Sequence, residues 1–138
     1  MALTDAIREV DRDALVQAAA AGVLIVGPLA GLSVLLIDTE ADDSGGLSGV
    51  LFLAIIVGFV CVGWIAARAA PRVPLTHAAL AALATFVVVQ TTILLIALVA
   101  GHDTDPSPVG LVFGAMLAAS AGTIGALVAT RRRKGNAR

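Results

Sequence analysis

The sequence predicts an all-α membrane protein, a bundle of four transmembrane helices. Of its 138 residues, 59% are hydrophobic and only 14% are charged, with a mean hydropathy of +0.98. A soluble domain carries about 45–50% apolar and about 25% charged residues. Between Leu47 and Ala67, and again between Leu75 and Ala100, no Asp, Glu, Lys or Arg occurs. A bilayer core of about 30 Å needs about 20 apolar helical residues, so these uncharged stretches fit membrane spans.

The chain divides into an N-terminal segment, a transmembrane domain and a basic tail. Residues 1–13 place Leu3, Ile7 and Val10 on one helical face, which predicts a short amphipathic helix. This helix would lie at the cytoplasmic membrane surface or bind a partner protein. The domain covers residues 14–130, and its spans are predicted at 14–37, 47–67, 76–100 and 109–130. Residues 131–138 form the basic cytoplasmic tail.

The basic residues predict the orientation of these spans. All nine fall in the N-terminal segment, the loop between the second and third spans, or the C-terminal tail. The two other loops, 38–46 and 101–108, carry six acids and no base. Because cytoplasmic loops are enriched in Lys and Arg, we expect a cell (inner) membrane protein with both termini in the cytoplasm. Losing any one span would put basic clusters on both sides, so the charges also favour four.

The sequence also allows a fold of two duplicated helical hairpins. A shift of 61 residues aligns Gly49-Val-Leu-Phe52 with Gly110-Leu-Val-Phe113 and places Arg72 over Arg133. Alanine-rich segments produce such matches by chance, so duplication stays an alternative. If it holds, the repeats are parallel, as in some transporters.

Small residues predict where the helices pack. In lipid, apolar burial does not drive helix association, so close backbone approach and hydrogen bonds must do so. In the fourth span, small residues recur every fourth position, and the first two spans offer further glycines. The predicted packing residues are Gly27, Gly31, Gly58, Gly110, Gly114, Ala118 and Gly122. The sequence alone allows them to face helices of the same chain or of another subunit, and it does not distinguish the two.

Two further features concern the spans themselves. Pro28 lies within the first span and removes one backbone hydrogen bond, which predicts a kink between Gly27 and Gly31. Trp64 lies one turn before Arg68, near the predicted cytoplasmic interface. This spacing is typical of an aromatic anchor at the membrane surface.

Gln90 is a polar side chain near the middle of the third span. An unpaired amide in hydrocarbon costs several kcal/mol, so we expect it to find a partner. Candidate partners are Ser33, Ser120, Thr123 and the carbonyls near Pro28. Thr91 and Thr92 can donate to carbonyls one turn earlier. The intramembrane polar residues are therefore a structural clamp or the lining of a solute path: Gln90, Thr91, Thr92, Ser33 and Thr123.

Several activities find no support in the sequence. Ion and proton pathways need ionisable groups within the bilayer, and the spans hold none at mid-depth. His77 and His102 are roughly 37 Å apart along one helix, so they cannot ligate one haem iron. No nucleophile lies near a base and no carboxylate pair lies within a span, so we expect no enzyme and no cofactor. The acidic loops match no known calcium spacing, and the net charge of −1 gives no reason to expect nucleic acid as a partner.

The stretch GWIAARAAPRVPLTHAALAAL (63–83) combines a small-residue helix end, an arginine-bearing loop, a histidine and an alanine-rich helix. This stretch and the four-span layout resemble small prokaryotic membrane proteins of unknown function, and the resemblance implies no activity. We therefore expect a structural or accessory subunit that acts through helix packing in the lipid bilayer. Its partner would be a second copy (a homo-oligomer) or a larger membrane complex. The alternative is a small oligomeric transporter or channel for a neutral solute.

Overall fold

The chain folds as a helical bundle. The computed structural model describes residues 11–37, 45–70, 72–101 and 106–135. Within these ranges the regular elements are four helices: α1 (Arg12–Ile37), α2 (Gly45–Ala69), α3 (Pro74–Val99) and α4 (Pro108–Gly135). Each of these helices is long and apolar enough to cross a membrane. The predicted fold class is confirmed, and the described helices fit a multi-pass membrane protein.

The helices run slightly beyond most of the predicted spans. The third helix ends one residue early, at Val99, and α4 continues to Gly135 rather than ending at Thr130. Arg and Lys favour helix, which explains why the first part of the basic tail extends α4. The predicted amphipathic helix lies largely in residues 1–10, outside the described residues. The same holds for most of both acidic loops (38–44 and 102–105) and for residues 136–138.

Local sequence explains where three of the helices begin or end. The Asp11 carboxylate accepts hydrogen bonds from the backbone N–H groups of Asp13 (3.0 Å) and Ala14 (3.4 Å), which caps α1. Ser107 caps α4 by accepting from the N–H of Gly110, and Pro108 occupies the first helical position. Beyond α3, Gly101 has a φ of 72°, a left-handed conformation that suits glycine and ends the helix.

The helices alternate in direction, so their termini gather at two ends of the bundle. We call the end with Arg12, Arg68, Arg72 and Arg131 the basic end. The opposite end, where α1 and α3 end and α2 and α4 begin, is the acidic end. Helices α2 and α3 pack against each other, and each also packs against α1 and α4. Because α1 and α4 hardly touch, they lie on opposite sides of the α2–α3 pair.

Side-chain size differs between the two halves of the bundle. The buried residues of the core near the basic end are alanines around Val62, and Leu15, Trp64 and Ile65 pack against them at the edge. The core towards the acidic end contains larger residues, including Val26, Phe59 and Val89, with Phe86 and Ile93 packed against them. Small residues let helices approach closely in a membrane, whereas large ones hold them apart. The half at the basic end is therefore tight, and the other half leaves room between the helices.

Candidate functional site

The closest helix contact joins α2 to α4. A Cβ added to Gly63 would overlap the backbone carbonyl of Gly122, and one added to Gly125 would overlap the carbonyl of Val60. A Cβ at Gly122 would also lie 2.8 Å from the carbonyl oxygen of Ala78 on α3. Real Cβ atoms do not approach backbone this closely, so glycine is required at all three positions. Gly122, one of the predicted packing residues, therefore lies where three helices of one chain meet.

Three other predicted packing residues also face neighbours within the chain. A Cβ on Gly114 would lie 2.8 Å from two carbons of the Phe86 ring on α3. One on Gly58 would lie 3.0 Å from a methyl group of Val26 on α1. Ala118 is buried in the core. From Gly114 onwards, the small-residue stripe of α4 thus faces α2 and α3 of the same chain.

The remaining predicted packing residues face outward. A Cβ on Gly31 would meet nothing within 4 Å, and one on Gly27 would meet only Val23, four residues earlier on the same helix. Pro28 between them is exposed, and α1 runs past it as one continuous helix. A Cβ on Gly110 would contact only Ser107, the residue that caps α4. Gly27 and Gly31 therefore form an open small-residue face on α1.

Thr85 closes the middle of the bundle. Its side chain is fully buried, and its hydroxyl lies 2.9 Å from the carbonyl oxygen of Ala81 and 3.4 Å from that of Ala19 on α1. Gly22 of α1 packs directly on this side chain and on Val62 of α2, leaving no space for a Cβ. We call Gly22, Val62 and Thr85 the central layer. It joins α1, α2 and α3.

A cavity of about 300 Å³ lies beyond the central layer, towards the acidic end. All four helices line it, for example through Val26, Phe59, Phe86 and Leu117. Most lining residues are buried or half-buried, while Val34 and Phe52 are exposed and mark its open side. No ionisable side chain lines it. The cavity is a largely apolar space that is open on the side of Val34 and Phe52.

Two polar side chains reach this cavity, Gln90 of α3 and Ser33 of α1. The Ser33 hydroxyl donates to the carbonyl oxygen of Ala30 at 2.7 Å and keeps its lone pairs as acceptors. The half-buried amide of Gln90 makes no hydrogen bond to another residue that the structure describes. Its N–H groups and its carbonyl oxygen are therefore open to a molecule in the cavity.

The other predicted polar residues lie elsewhere. Thr91 and Thr92 are exposed on the outside of α3, and Thr92 donates to the carbonyl oxygen of Val88 at 2.8 Å, as expected. Thr123 is half-buried and donates within α4, to the carbonyl oxygen of Ser120 at 2.7 Å. Ser120 is exposed and donates to that of Met116. Of the five predicted polar residues, the structure thus brings Gln90 and Ser33 to the cavity, and neither Ser120 nor Thr123 is paired with Gln90.

No family model, curated protein or solved structure matches this chain. Two contacts near the basic end hold the helix ends in place. The guanidinium of Arg68 lies 4.0 Å from the centroid of the Trp64 ring, a cation–π pair at the end of α2. His77 is buried, and its Nε2 accepts a hydrogen bond of 2.9 Å from the backbone N–H of Asp11. This bond holds the start of α1 against α3.

Sequence reasoning missed the roles of Gly22, Gly125, Thr85 and His77 in packing. A signal existed for Gly125, because Gly122 and Gly125 lie three positions apart and so share one helical face. No sequence signal distinguished the buried Thr85 from the exposed Thr91, because a threonine on any face of a membrane helix can donate to a carbonyl of its own helix. The cavity itself leaves no pattern in the sequence, because it depends on how far the helices diverge.

Proposed function

We propose that the chain is a structural or accessory subunit of a membrane assembly and that it associates through the open face of Gly27 and Gly31. One observation carries this proposal. Most glycines in the middle of the bundle are in close contact with another helix, whereas Gly27 and Gly31 have open space beside them. Their spacing of four residues is the small-residue pattern that lets two membrane helices approach closely.

A second copy of the chain is the occupant that we propose for this face. The Gly27–Gly31 face is short and uncharged, so two copies related by a two-fold axis can bring identical faces together. A helix of a larger complex is the other outcome that the experiment below distinguishes.

We propose a cell (inner) membrane location with both termini in the cytoplasm. The support is the distribution of charge. Arg12, Arg68, Arg72 and Arg131 mark the same end of the bundle, and the acidic loops belong to the other end. The positive-inside rule puts the basic end in the cytoplasm.

Substitution of the open glycines tests the association. We expect the wild-type chain, cross-linked in its native membrane, to be recovered as a dimer. Gly27→Leu and Gly31→Leu should reduce the dimer by at least about tenfold, because a leucine keeps the helices apart. The matched control is Gly49→Leu on α2, where a Cβ also meets nothing within 4 Å. It should leave the dimer unchanged.

The outcomes separate the two kinds of partner. If another protein is cross-linked to the wild-type chain but not to Gly27→Leu, the subunit belongs to a larger complex and the accessory role stands. If the wild-type chain is recovered alone and no partner depends on Gly27 and Gly31, the proposal fails. Because these glycines lie outside the intramolecular contacts between helices, the helix content of both variants should match the wild type.

Transport of a neutral solute is the second candidate, and the cavity with Gln90 favours it. A solute leaving the cavity towards the basic end would have to cross the central layer and the alanine core behind it. Flux therefore requires the helices to separate there. Vesicles containing the protein should release a trapped neutral solute faster than empty vesicles if this alternative holds, and equal rates would exclude it for that solute.

A further inference from the structure

We propose that the cavity between the four helices binds a small neutral molecule from the bilayer, mostly apolar and carrying one hydrogen-bonding group that pairs with Gln90. This inference is independent of the association of α1 with a partner. The site does not include Gly27 or Gly31, and a single chain supplies all of its lining residues.

The size of the cavity limits the ligand. An apolar cavity of about 150 Å³ in a protein core stays dry and accepts benzene. The cavity here, of about 300 Å³, is twice as large and lies at the lower end of the range for ligand sites. It accommodates a molecule of roughly ten to twelve non-hydrogen atoms on the same scale. A nucleotide or a whole phospholipid does not fit.

The lining determines the polarity of the ligand. No Asp, Glu, Lys, Arg or His lines the cavity, so a charged ligand would lose its hydration without a counter-ion. Aliphatic and phenylalanine side chains dominate the lining, which suits an alkyl or aromatic body. Gln90 supplies one donor group and one acceptor, and Ser33 supplies an acceptor elsewhere in the lining of the same cavity. These groups fit a single hydroxyl, carbonyl or amide on the ligand.

The depth of Gln90 distinguishes such a molecule from an ordinary lipid tail. Gln90 lies three to four residues beyond the midpoint of α3 (Pro74–Val99), which is roughly 5 Å along the helix axis. The polar groups of a phospholipid begin at the edge of the hydrocarbon core, about 15 Å from its centre. A phospholipid in its normal position therefore presents only its acyl chain to Gln90. The matching ligand has a polar group that enters the hydrocarbon region with it.

A pair of probes tests both the site and the hydrogen bond. We choose 4-butylphenol and 4-butyltoluene, which have nearly the same shape but differ by a hydroxyl and a methyl group. Binding is measured by equilibrium dialysis of labelled probe against the protein in phosphatidylcholine nanodiscs, with empty nanodiscs subtracted. We expect saturable binding of one probe per chain. The phenol should bind about fivefold more tightly, the gain typical of one net hydrogen bond.

Variants then locate the binding. Gln90→Leu should remove the preference for the phenol, so that both probes bind equally. Ala30→Leu fills the cavity from α1 and should weaken both probes by at least about tenfold. The matched control is Ala20→Leu, an exposed position on the same helix outside the lining. It should bind both probes as the wild type does.

Four results would overturn the proposal. They are binding that does not saturate above empty nanodiscs, equal affinity of the wild type for both probes, a preserved phenol preference in Gln90→Leu, and wild-type affinity in Ala30→Leu. Equal affinity for both probes would mean that the cavity holds any apolar chain, including a lipid tail. Should Ala30→Leu fail to fold, the comparison of the two probes in Gln90→Leu still decides the outcome.

Discussion

Thr85 and Gly22 depend on each other within the central layer. The hydroxyl of Thr85 lies in the space that a side chain at position 22 would need, and it also bonds towards the carbonyl of Ala19. Interhelical hydrogen bonds in membranes average about 0.6 kcal/mol, so the bond alone contributes little. The close packing around it matters more, because overpacking a dense core costs about 1–3 kcal/mol.

A double-mutant cycle tests this coupling. Gly22→Ala should destabilise the bundle by about 1–3 kcal/mol, because the new Cβ overlaps Thr85. Thr85→Ala removes two of the three overlapping atoms and leaves only a Val62 methyl group, so the double variant should be less unstable than the sum of the two single variants by at least about 0.5 kcal/mol. The measurement is the free energy of unfolding in mixed micelles titrated with denaturing detergent.

The control for this cycle is Gly27→Ala, where the added Cβ would meet only Val23 at 4.0 Å. It should change stability little, and combined with Thr85→Ala its effect should be additive. Strict additivity between Gly22→Ala and Thr85→Ala would contradict the packing described for the central layer.

For individual residues, the sequence predicts bonds within one helix better than it predicts which residue of another helix a side chain contacts. It correctly suggested that Thr92 donates to its own helix, because that bond needs only the local backbone. It did not predict that His77 accepts from Asp11, since these residues are 66 positions apart. Nor did it predict that Gln90 would lie in a cavity without a described partner. Contacts of this kind depend on which helix lies opposite the residue, and the local spacing of residues in the sequence does not indicate which helix that is.

At the scale of elements, the α2–α4 contact and the part of the α3–α4 contact at Gly114 differ in which atoms can move. Gly63 and Gly125 of the first contact lie against backbone atoms, which cannot move without shifting a helix. Gly114 of the second lies against the ring of Phe86, a side chain that can change rotamer or be shortened. The two contacts should therefore respond differently to the same substitution.

Alanine at these glycines tests the difference. We expect Gly63→Ala to destabilise the bundle by about 3 kcal/mol or more. Shortening a neighbouring side chain should not restore the lost stability, because the added Cβ overlaps backbone atoms. Gly114→Ala should cost about 1 kcal/mol, and adding Phe86→Leu should recover part of that loss. Thermal unfolding in the same detergent measures both. Equal losses at the two positions would show that the α2–α4 backbones are not in close contact.

The elements themselves were predictable because they depend on composition and length. Four uncharged apolar stretches of about 20 residues require four helices, and the described structure contains them. The direction that each helix faces was only partly predictable. On α4 the repeat of small residues marks the packed face from Gly114 to Ala126, but Gly110 lies past the contact. Because all four helices are apolar on every side, amphipathicity could not show which glycines face inward.

For the whole molecule, the shape follows from where small and large residues lie. Buried alanines and close glycine contacts near the basic end bring the helices together, whereas buried residues as large as Val26, Phe59 and Val89 separate them towards the acidic end. The cavity is the consequence of this gradient. The proposed duplication stays a prediction, although paired positions differ in environment: Ala20 is exposed, whereas Ala81, its partner at a shift of 61, is fully buried.

The orientation in the membrane is the property of the whole molecule that most affects the proposals. If the basic end is cytoplasmic, the cavity lies in the half of the bilayer away from the cytoplasm, and its ligand enters from that leaflet. Cysteine labelling of intact cells tests this. In a Cys61→Ala background, Pro106→Cys places a thiol at the exposed acidic end, and Arg132→Cys places one at the exposed basic end.

A membrane-impermeant maleimide should label Pro106→Cys in intact cells, but it should label Arg132→Cys only after permeabilisation. The Cys61→Ala background should stay unlabelled in both conditions. The physical reason is the excess of Lys and Arg at one end, since these residues resist transfer across the membrane and acids do not compensate. If the maleimide labels Arg132→Cys in intact cells and leaves Pro106→Cys unlabelled, the orientation is the reverse of the one proposed. The cavity would then open towards the cytoplasmic leaflet, and its ligand would have to be sought there.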